Sequence, residues 1–212
     1  MLNKFLNLDR QYRQPTGLLG RYIGRQMARD HLPENEWTVE LLQPRPDDHI
    51  LEIGFGPGVA IEQLTHHVPQ GRIVGVDFSR AMVAAAGRRN AQAIKRGQVA
   101  LHWADVTQLP LGDASFDKAY SIHSIYFWPQ PEKALREIKR VLKVGGLLVL
   151  TVLPKEKWQA ASPATPVGTP ECIPYTGDEL VHLLLSAGFS PTRIEVDTQA
   201  ECPSNYSVVG LK

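Results

Sequence analysis

The sequence predicts an α/β domain built on a mostly parallel sheet, and three observations carry that expectation. From about residue 48 onward, short apolar runs alternate with longer helical patterns. The first run, Ile50-Leu51-Glu52-Ile53, passes directly into Gly54-Phe55-Gly56-Pro57-Gly58 and then into a helical stretch. The next two runs lead into an aspartate, in Val74-Gly75-Val76-Asp77 and in Trp103-Ala104-Asp105.

Taken in chain order, residues 35–42 are expected to be helical and residues 17–30 less regularly so. Up to Asp30 the chain has six basic and two acidic residues, spaced out as on a solvated face. Strands are expected at 49–53, 72–76, 99–103, 116–121 and 147–153, with helices at 58–67, 79–96 and 131–142. The last helix shows its period in Ala134, Leu135, Ile138, Val141 and Leu142, and Gly145-Gly146 is expected to end it and open the next strand. Residues 161–174 carry four prolines, which remove ladder donors and break helices, so a surface loop or flap is expected there. A helix at 176–187, stopped by Gly188, precedes strands at 192–198 and 207–211, whose proximity predicts an antiparallel terminal hairpin at one edge. The segment 1–47 is expected to act as a helical lid on a domain spanning 48–212.

Composition narrows the classes of function. The 212 residues are 43% hydrophobic and 21% charged, enough to bury one sizeable core. With 23 basic against 22 acidic residues, net charge +1, no broad field favours nucleic acid or an anionic membrane. The longest apolar stretch, 144–153, is interrupted by glycines and falls short of the ~20 residues a bilayer span needs. Cys172 and Cys202 belong to no C-x-x-C pair, and no secretory or transit segment is read, so thiols in a cytoplasmic protein are expected. A monomer or homodimer is expected.

A strand that turns through glycines into a helix brings backbone N–H groups and a helix start close to a ligand. The spacing departs from G-x-G-x-x-G, since the third glycine comes one place early, and no Gly-Lys-Ser/Thr of a phosphate loop follows. Asp77 stands at the carboxyl edge of the neighbouring strand, where a ribose diol needs an acceptor, and Asp105 one strand further out. Each feature has a plain alternative: the glycines for tight packing, Asp77 for starting a helix at Ser79, Asp105 for capping a turn. Together they supply a close-approach loop, a diol acceptor and an acceptor for an exocyclic amine, the order of groups in an adenosine with a charged tail.

At these residues the chain resembles the class I S-adenosylmethionine-dependent methyltransferases, of the small single-domain type. The likeness spans about residues 48–153, including Phe116-Asp117-Lys118-Ala119-Tyr120-Ser121 and Leu142-Lys143-Val144-Gly145-Gly146-Leu147. It implies a Rossmann-like three-layer sandwich with a seven-stranded, mostly parallel sheet in the order 3-2-1-4-5-7-6, strand seven antiparallel. It further implies S-adenosylmethionine as cofactor, with Glu52, Gly54, Phe55, Gly56 and Gly58 around its methionine portion and Asp77 on the ribose. Phe78 and Met82 would pack on the adenine, Asp105 would accept from its amino group, and Ala104, Val106 and Ser121 would lie beside the cofactor.

In the same family the segment after the fourth strand, here Ser121 to Pro129, builds the acceptor side. His123 is the candidate catalytic base there, its alternative being a histidine that only bonds backbone. Tyr126, Phe127 and Trp128 are candidates for lining the acceptor pocket, core packing being the alternative for two of them, and Tyr22 is a further candidate wall. The motifs expected of nucleic-acid amino-methylation, cytosine-carbon methylation and protein arginine methylation are missing, and the seven histidines show no metal spacing. A small-molecule acceptor is therefore expected, methylated at O, N, S or C. A nicotinamide-dependent oxidoreductase and a non-catalytic S-adenosylmethionine-binding protein are the competing readings.

Overall fold

The computed structural model describes Gly17, Tyr22 and residues 31–155, 157, 172–190, 192–197 and 205–212. Most of the expected helix at 17–30, most of the proline-rich segment and Cys202 lie outside the described residues. Seven strands form one sheet: β1 (His49–Ile53), β2 (Arg72–Asp77), β3 (Val99–Trp103), β4 (Phe116–Ile122), β5 (Leu142–Val152), β6 (Thr192–Val196) and β7 (Tyr206–Leu211). Their order is β3-β2-β1-β4-β5-β7-β6, as the resemblance implied. Strands β1 to β5 pair in parallel, and β7 runs antiparallel between β5 and β6, so β6 takes one edge and β3 the other.

Helices cover both faces, which is why β1, β2 and β5 read as nearly unbroken apolar runs. Helices α1 (Leu32–Leu42), α2 (Val59–His67), α3 (Arg80–Arg89) and α4 (Ala91–Lys95) bury Leu42, Ile61, Leu64, Ala86 and Ala93 with Ile50, Ile73, Tyr120 and Val149. On the other face α5 (Pro131–Val141) and α6 (Gly177–Ser186) set Leu135, Ile138, Leu180 and Leu184 against Leu51, Val74, Leu148 and Leu150. Cys172 is buried in this second core. Thr176 caps α6 with a reciprocal capping box to Glu179, and Gly188 follows with φ +85°.

Two expected elements are corrected. The helix expected at 79–96 is broken at Asn90, whose side-chain amide donates to the Ala86 and Gly58 carbonyls. The glycine pair 145–146 does not open β5 but lies inside it. Between Phe116 and Lys118 the register moves two residues along β4 but five along β5, from Leu142 to Leu147. The extra residues bulge outward, with Val144 at 90% exposure and Gly145 at φ +76°. The bulge is held by Lys212, whose N–H and C=O pair with Gly146 and Gly145.

Helix α1 belongs to the packed body. Thr38 is fully buried, with its hydroxyl 2.6 Å from that of Thr151 on β5, which lies 2.7 Å from the Ser207 hydroxyl on β7. Among the described residues no helix is long and apolar enough to cross a membrane.

Candidate active site

A cleft runs along the carboxyl ends of β1 to β4, closed at one end by the start of α1. Sheets of this kind bind ligands there, where strand ends and helix starts expose unpaired backbone groups. The glycine turn forms its floor. Gly54, Gly56 and Gly58 have φ of +74°, +50° and +76°, the left-handed region that penalises a Cβ.

The three glycines do different work. A Cβ on Gly54 would stand 2.5 Å from Ser124 Cβ, so this glycine lets the end of β4 close against β1. A Cβ on Gly58 would meet Ala86 Cβ at 2.7 Å, so Gly58 serves the packing of α3 and, contrary to expectation, stands off the cleft wall. Gly56 lines the cleft, and a Cβ there would find no atom within 4 Å, which leaves room for a ligand against the backbone. Phe55 lies over Gly75 of β2, whose missing side chain makes space for the ring.

Three carboxylates line the same cleft. Glu52 is 3% exposed, and its Oε2 accepts a 2.6 Å hydrogen bond from the Tyr120 hydroxyl. Burial pushes it up to about 8, the Tyr120 bond opposing and the Asp77 charge adding to the shift. Asp77 accepts from the N–H of Gly56 (2.9 Å, Oδ2) and of Ser79 (2.7 Å, Oδ1), so it shapes the glycine turn and the start of α3 together. Burial pushes Asp77 up to about 6 against those two bonds. Asp105 is exposed at the cleft margin, and its Oδ1 accepts from the backbone and hydroxyl of Thr107. Both plain alternatives for the aspartates are thus real features alongside their place on the wall.

Phe78, Met82, Ala104 and Val106 line the end formed by β2 and β3. Trp103, off the lining itself, holds this end from behind, a support that sequence reasoning missed: its indole N–H donates to the Phe78 carbonyl at 2.8 Å, and Arg80 lies 3.8 Å over its ring. Its position directly before Ala104-Asp105 was the available signal.

At the opposite end stand His123, Ser124, Phe127 and Trp128, from the chain leaving β4. His123 adopts φ +52°, a costly conformation for a side-chain-bearing residue, fixed by its N–H bond to the Thr151 carbonyl at 2.9 Å. Its Nδ1 lies 3.2 Å from the Tyr126 hydroxyl, and its ring centroid 4.8 Å from that of His31. Burial first, then the His31 ring, push His123 down to about 3, so it is a neutral imidazole through the physiological range.

Three more expected site residues stand off the wall. Tyr126 is 2% exposed, part of the core, with its hydroxyl bonded to the Leu153 backbone. Ser121 is buried with its Oγ 2.5 Å from Ser124 Oγ, and Ser124 in turn bonds the Ile53 carbonyl at 3.2 Å. Tyr22 is 59% exposed and does not line the cleft. His31 and Asn35, which sequence reasoning passed over, do line it. Their signal was Pro33 in the first turn of α1, which marks His31 as the helix start and so as a candidate for a strand-end cleft. No group of three metal-ligating side chains occurs among the described residues.

Comparison with known proteins bears on the family and the fold. Residues 51–150 match the family model described as a methyltransferase domain. An uncharacterized methyltransferase, YdaC of Bacillus subtilis (strain 168), is 33% identical over 130 residues, 61% of this chain and 70% of that one. The O-methyltransferase cnsE of Penicillium expansum is 31% identical over 190 residues, covering 82% of this chain and 67% of the relative. Among solved structures, a SAM-dependent methyltransferase from Aquifex aeolicus superposes with TM-score 0.73 at 20% identity, over 90% of this chain and 97% of that chain, a likeness of fold.

Proposed function

Since this chain belongs to the class I S-adenosylmethionine-dependent methyltransferases, we propose that it transfers the methyl group to a small-molecule acceptor held between His123 and the aromatic residues that follow β4. Family membership removes the nicotinamide oxidoreductase reading. The observation that carries the proposal is the junction of Gly54 with Ser124, which sets the acceptor end of the cleft directly beside the glycine turn.

The residues present fit the cofactor. Gly56 leaves its backbone open to the cleft, Asp77 is fixed beside it by two backbone donors, and the buried Glu52, protonated in the ligand-free cleft, can ionise to face a cation above it. When bound, S-adenosylmethionine supplies an electrophilic methyl group on a sulfonium, transferred in line to a nucleophile. Glu52 and Asp77 hold and counter the cationic portion and the ribose, and Asp105, Phe78 and Met82 frame the base. His123, neutral and fixed by Thr151 and Tyr126, orients the acceptor and takes its proton. Phe127 and Trp128 exclude water from the reacting pair. The small-molecule class is supported by the O-methyltransferase among its relatives.

Calorimetric titration with S-adenosylhomocysteine, followed by incubation of the protein with methyl-labelled cofactor and fractionated metabolite extract, tests this reading. Label is expected in a low-mass fraction. Label only in protein or nucleic acid would overturn the acceptor class.

A further inference from the structure

The three carboxylates of the cleft wall all sit at the ends of β1, β2 and β3, and no lysine or arginine lines the cleft among the described residues. Beyond β4 the wall changes character. There it consists of two imidazoles, His31 and His123, with the amide of Asn35 and the rings of Phe127 and Trp128. The imidazoles come from distant parts of the chain and meet at 4.8 Å between centroids, with planes tilted by 59°. Nδ1 of His123 is engaged by the Tyr126 hydroxyl, and that hydroxyl is itself bound to the Leu153 backbone, so Nε2 is the nitrogen of this cleft-lining ring that Tyr126 does not hold.

We infer that His31 joins His123 in a paired imidazole site, and that this pair selects an acceptor whose reacting group is an uncharged hydroxyl, an alcohol or a phenol. The inference rests on the methyl-transfer reading above and names its acceptor. A carboxylate or phosphate acceptor would leave water here and meet no lysine or arginine among the described residues of the lining. An ammonium acceptor would lie next to the cofactor's positive charge and find imidazoles in place of a carboxylate among the described residues at this end. A hydroxyl asks only for one hydrogen-bond acceptor, which a neutral imidazole nitrogen supplies.

The proton balance is met by the same residue. A lone pair on the acceptor oxygen forms the new C–O bond as the C–S bond breaks and leaves its electron pair on sulfur, while the hydroxyl proton passes to His123 Nε2 and from there to solvent. An imidazole held at low basicity by burial still suffices, because an oxygen that has gained a methyl while keeping its proton is a far stronger acid than imidazolium. His31 backs the His123 ring and shares the same wall, so its loss should loosen the hydroxyl site without touching the glycine turn.

The test uses histidine-labelled protein saturated with S-adenosylhomocysteine and titrated separately with phenol, benzoate and benzylamine, reading the imidazole nitrogens by NMR. Phenol is expected to move the His123 Nε2 resonance, and benzoate and benzylammonium to bind at least about tenfold more weakly. His31→Ala and the ring-retaining His31→Phe are each expected to weaken phenol binding about fivefold to tenfold, the loss of one hydrogen-bonding partner, with S-adenosylhomocysteine affinity and melting temperature preserved. His31 makes no side-chain cap to α1, so these changes remove no helix cap. Absence of any phenol response, equal binding of a charged probe, or unchanged phenol affinity in both variants overturns the inference. Failure of S-adenosylhomocysteine itself to bind would instead overturn the methyltransferase reading beneath it.

Discussion

The Tyr120 hydroxyl donates a 2.6 Å hydrogen bond to Oε2 of Glu52, joining β4 to β1 beneath the cleft at a position where the two residues are register partners. Burial holds Glu52 up at about 8 against an ordinary 4.5. The folded ligand-free protein therefore keeps a proton that the unfolded chain releases between those two values. Unfolded chains bind fewer protons over that window, so stability falls as pH rises from about 4.5 to 8 and then levels. Asp77, pushed up to about 6 from 3.8, adds to the lower part of the same slope. Calorimetric melts of the ligand-free protein should show it. Glu52→Gln, which keeps an oxygen for Tyr120, should flatten the slope and be more stable at pH 8 by about 1–3 kcal/mol.

Binding of a cationic cofactor favours the ionised carboxylates. At pH 7 titration with S-adenosylmethionine should release up to one proton, seen as binding heats that vary with the ionisation enthalpy of the buffer. Glu52→Gln should diminish that release. Identical heats in all buffers for the unaltered protein would contradict the placement of a protonated Glu52 in the ligand-free cleft.

The glycine turn predicts an uneven alanine series. Gly54→Ala and Gly58→Ala place a Cβ 2.5 Å and 2.7 Å from their nearest neighbours, and each should cost more than about 2 kcal/mol of stability. Gly56→Ala meets open space, so its stability loss should stay near about 1 kcal/mol while cofactor affinity falls. Denaturant unfolding beside calorimetric titration separates the two effects.

Asp77→Ala removes the acceptor of two backbone donors as well as the proposed ribose contact. Cofactor binding should weaken by about 1–3 kcal/mol, and thermal stability should fall with it because the Ser79 N–H is left buried without a partner. Wild-type affinity in this variant would remove Asp77 from the cofactor site.

His123→Ala should lower turnover by at least about tenfold with S-adenosylhomocysteine affinity unchanged. His123→Asn tolerates the positive φ and preserves the backbone, so it distinguishes loss of the imidazole from a rearranged β4 end. Equal turnover in both variants and the parent would exclude the proton role.

Much of this architecture is legible in the residues themselves. The bounds of β1 and β3 follow from apolar runs ended by Gly54 and by Ala104-Asp105, and the strand-end acids Asp77 and Asp105 both reach the cleft because parallel strands carry their ends to one edge. The early start of β5 is illegible because Gly145-Gly146 punctuates a helix end and a bulge alike, and the pairing with Lys212 that distinguishes them is remote in sequence. His31 escapes for the same reason, as a lone histidine whose partner lies beyond four strands. The division between a core Tyr126 and a cleft-lining Phe127 is decided by a short 3₁₀ turn at Ile125–Phe127, a rotation that composition does not encode.

The hydroxyl chain from Thr38 through Thr151 to Ser207 bears on where the molecule can be divided. A cut at residue 48, suggested by the start of the family likeness, would strip the cover from Thr151 and leave the apolar face that receives Val39 and Leu42 open to water. It would also take away His31 and Asn35. The smallest autonomous piece that keeps both the core and the acceptor end thus begins no later than residue 31, and circular permutants or fusions should leave that junction whole.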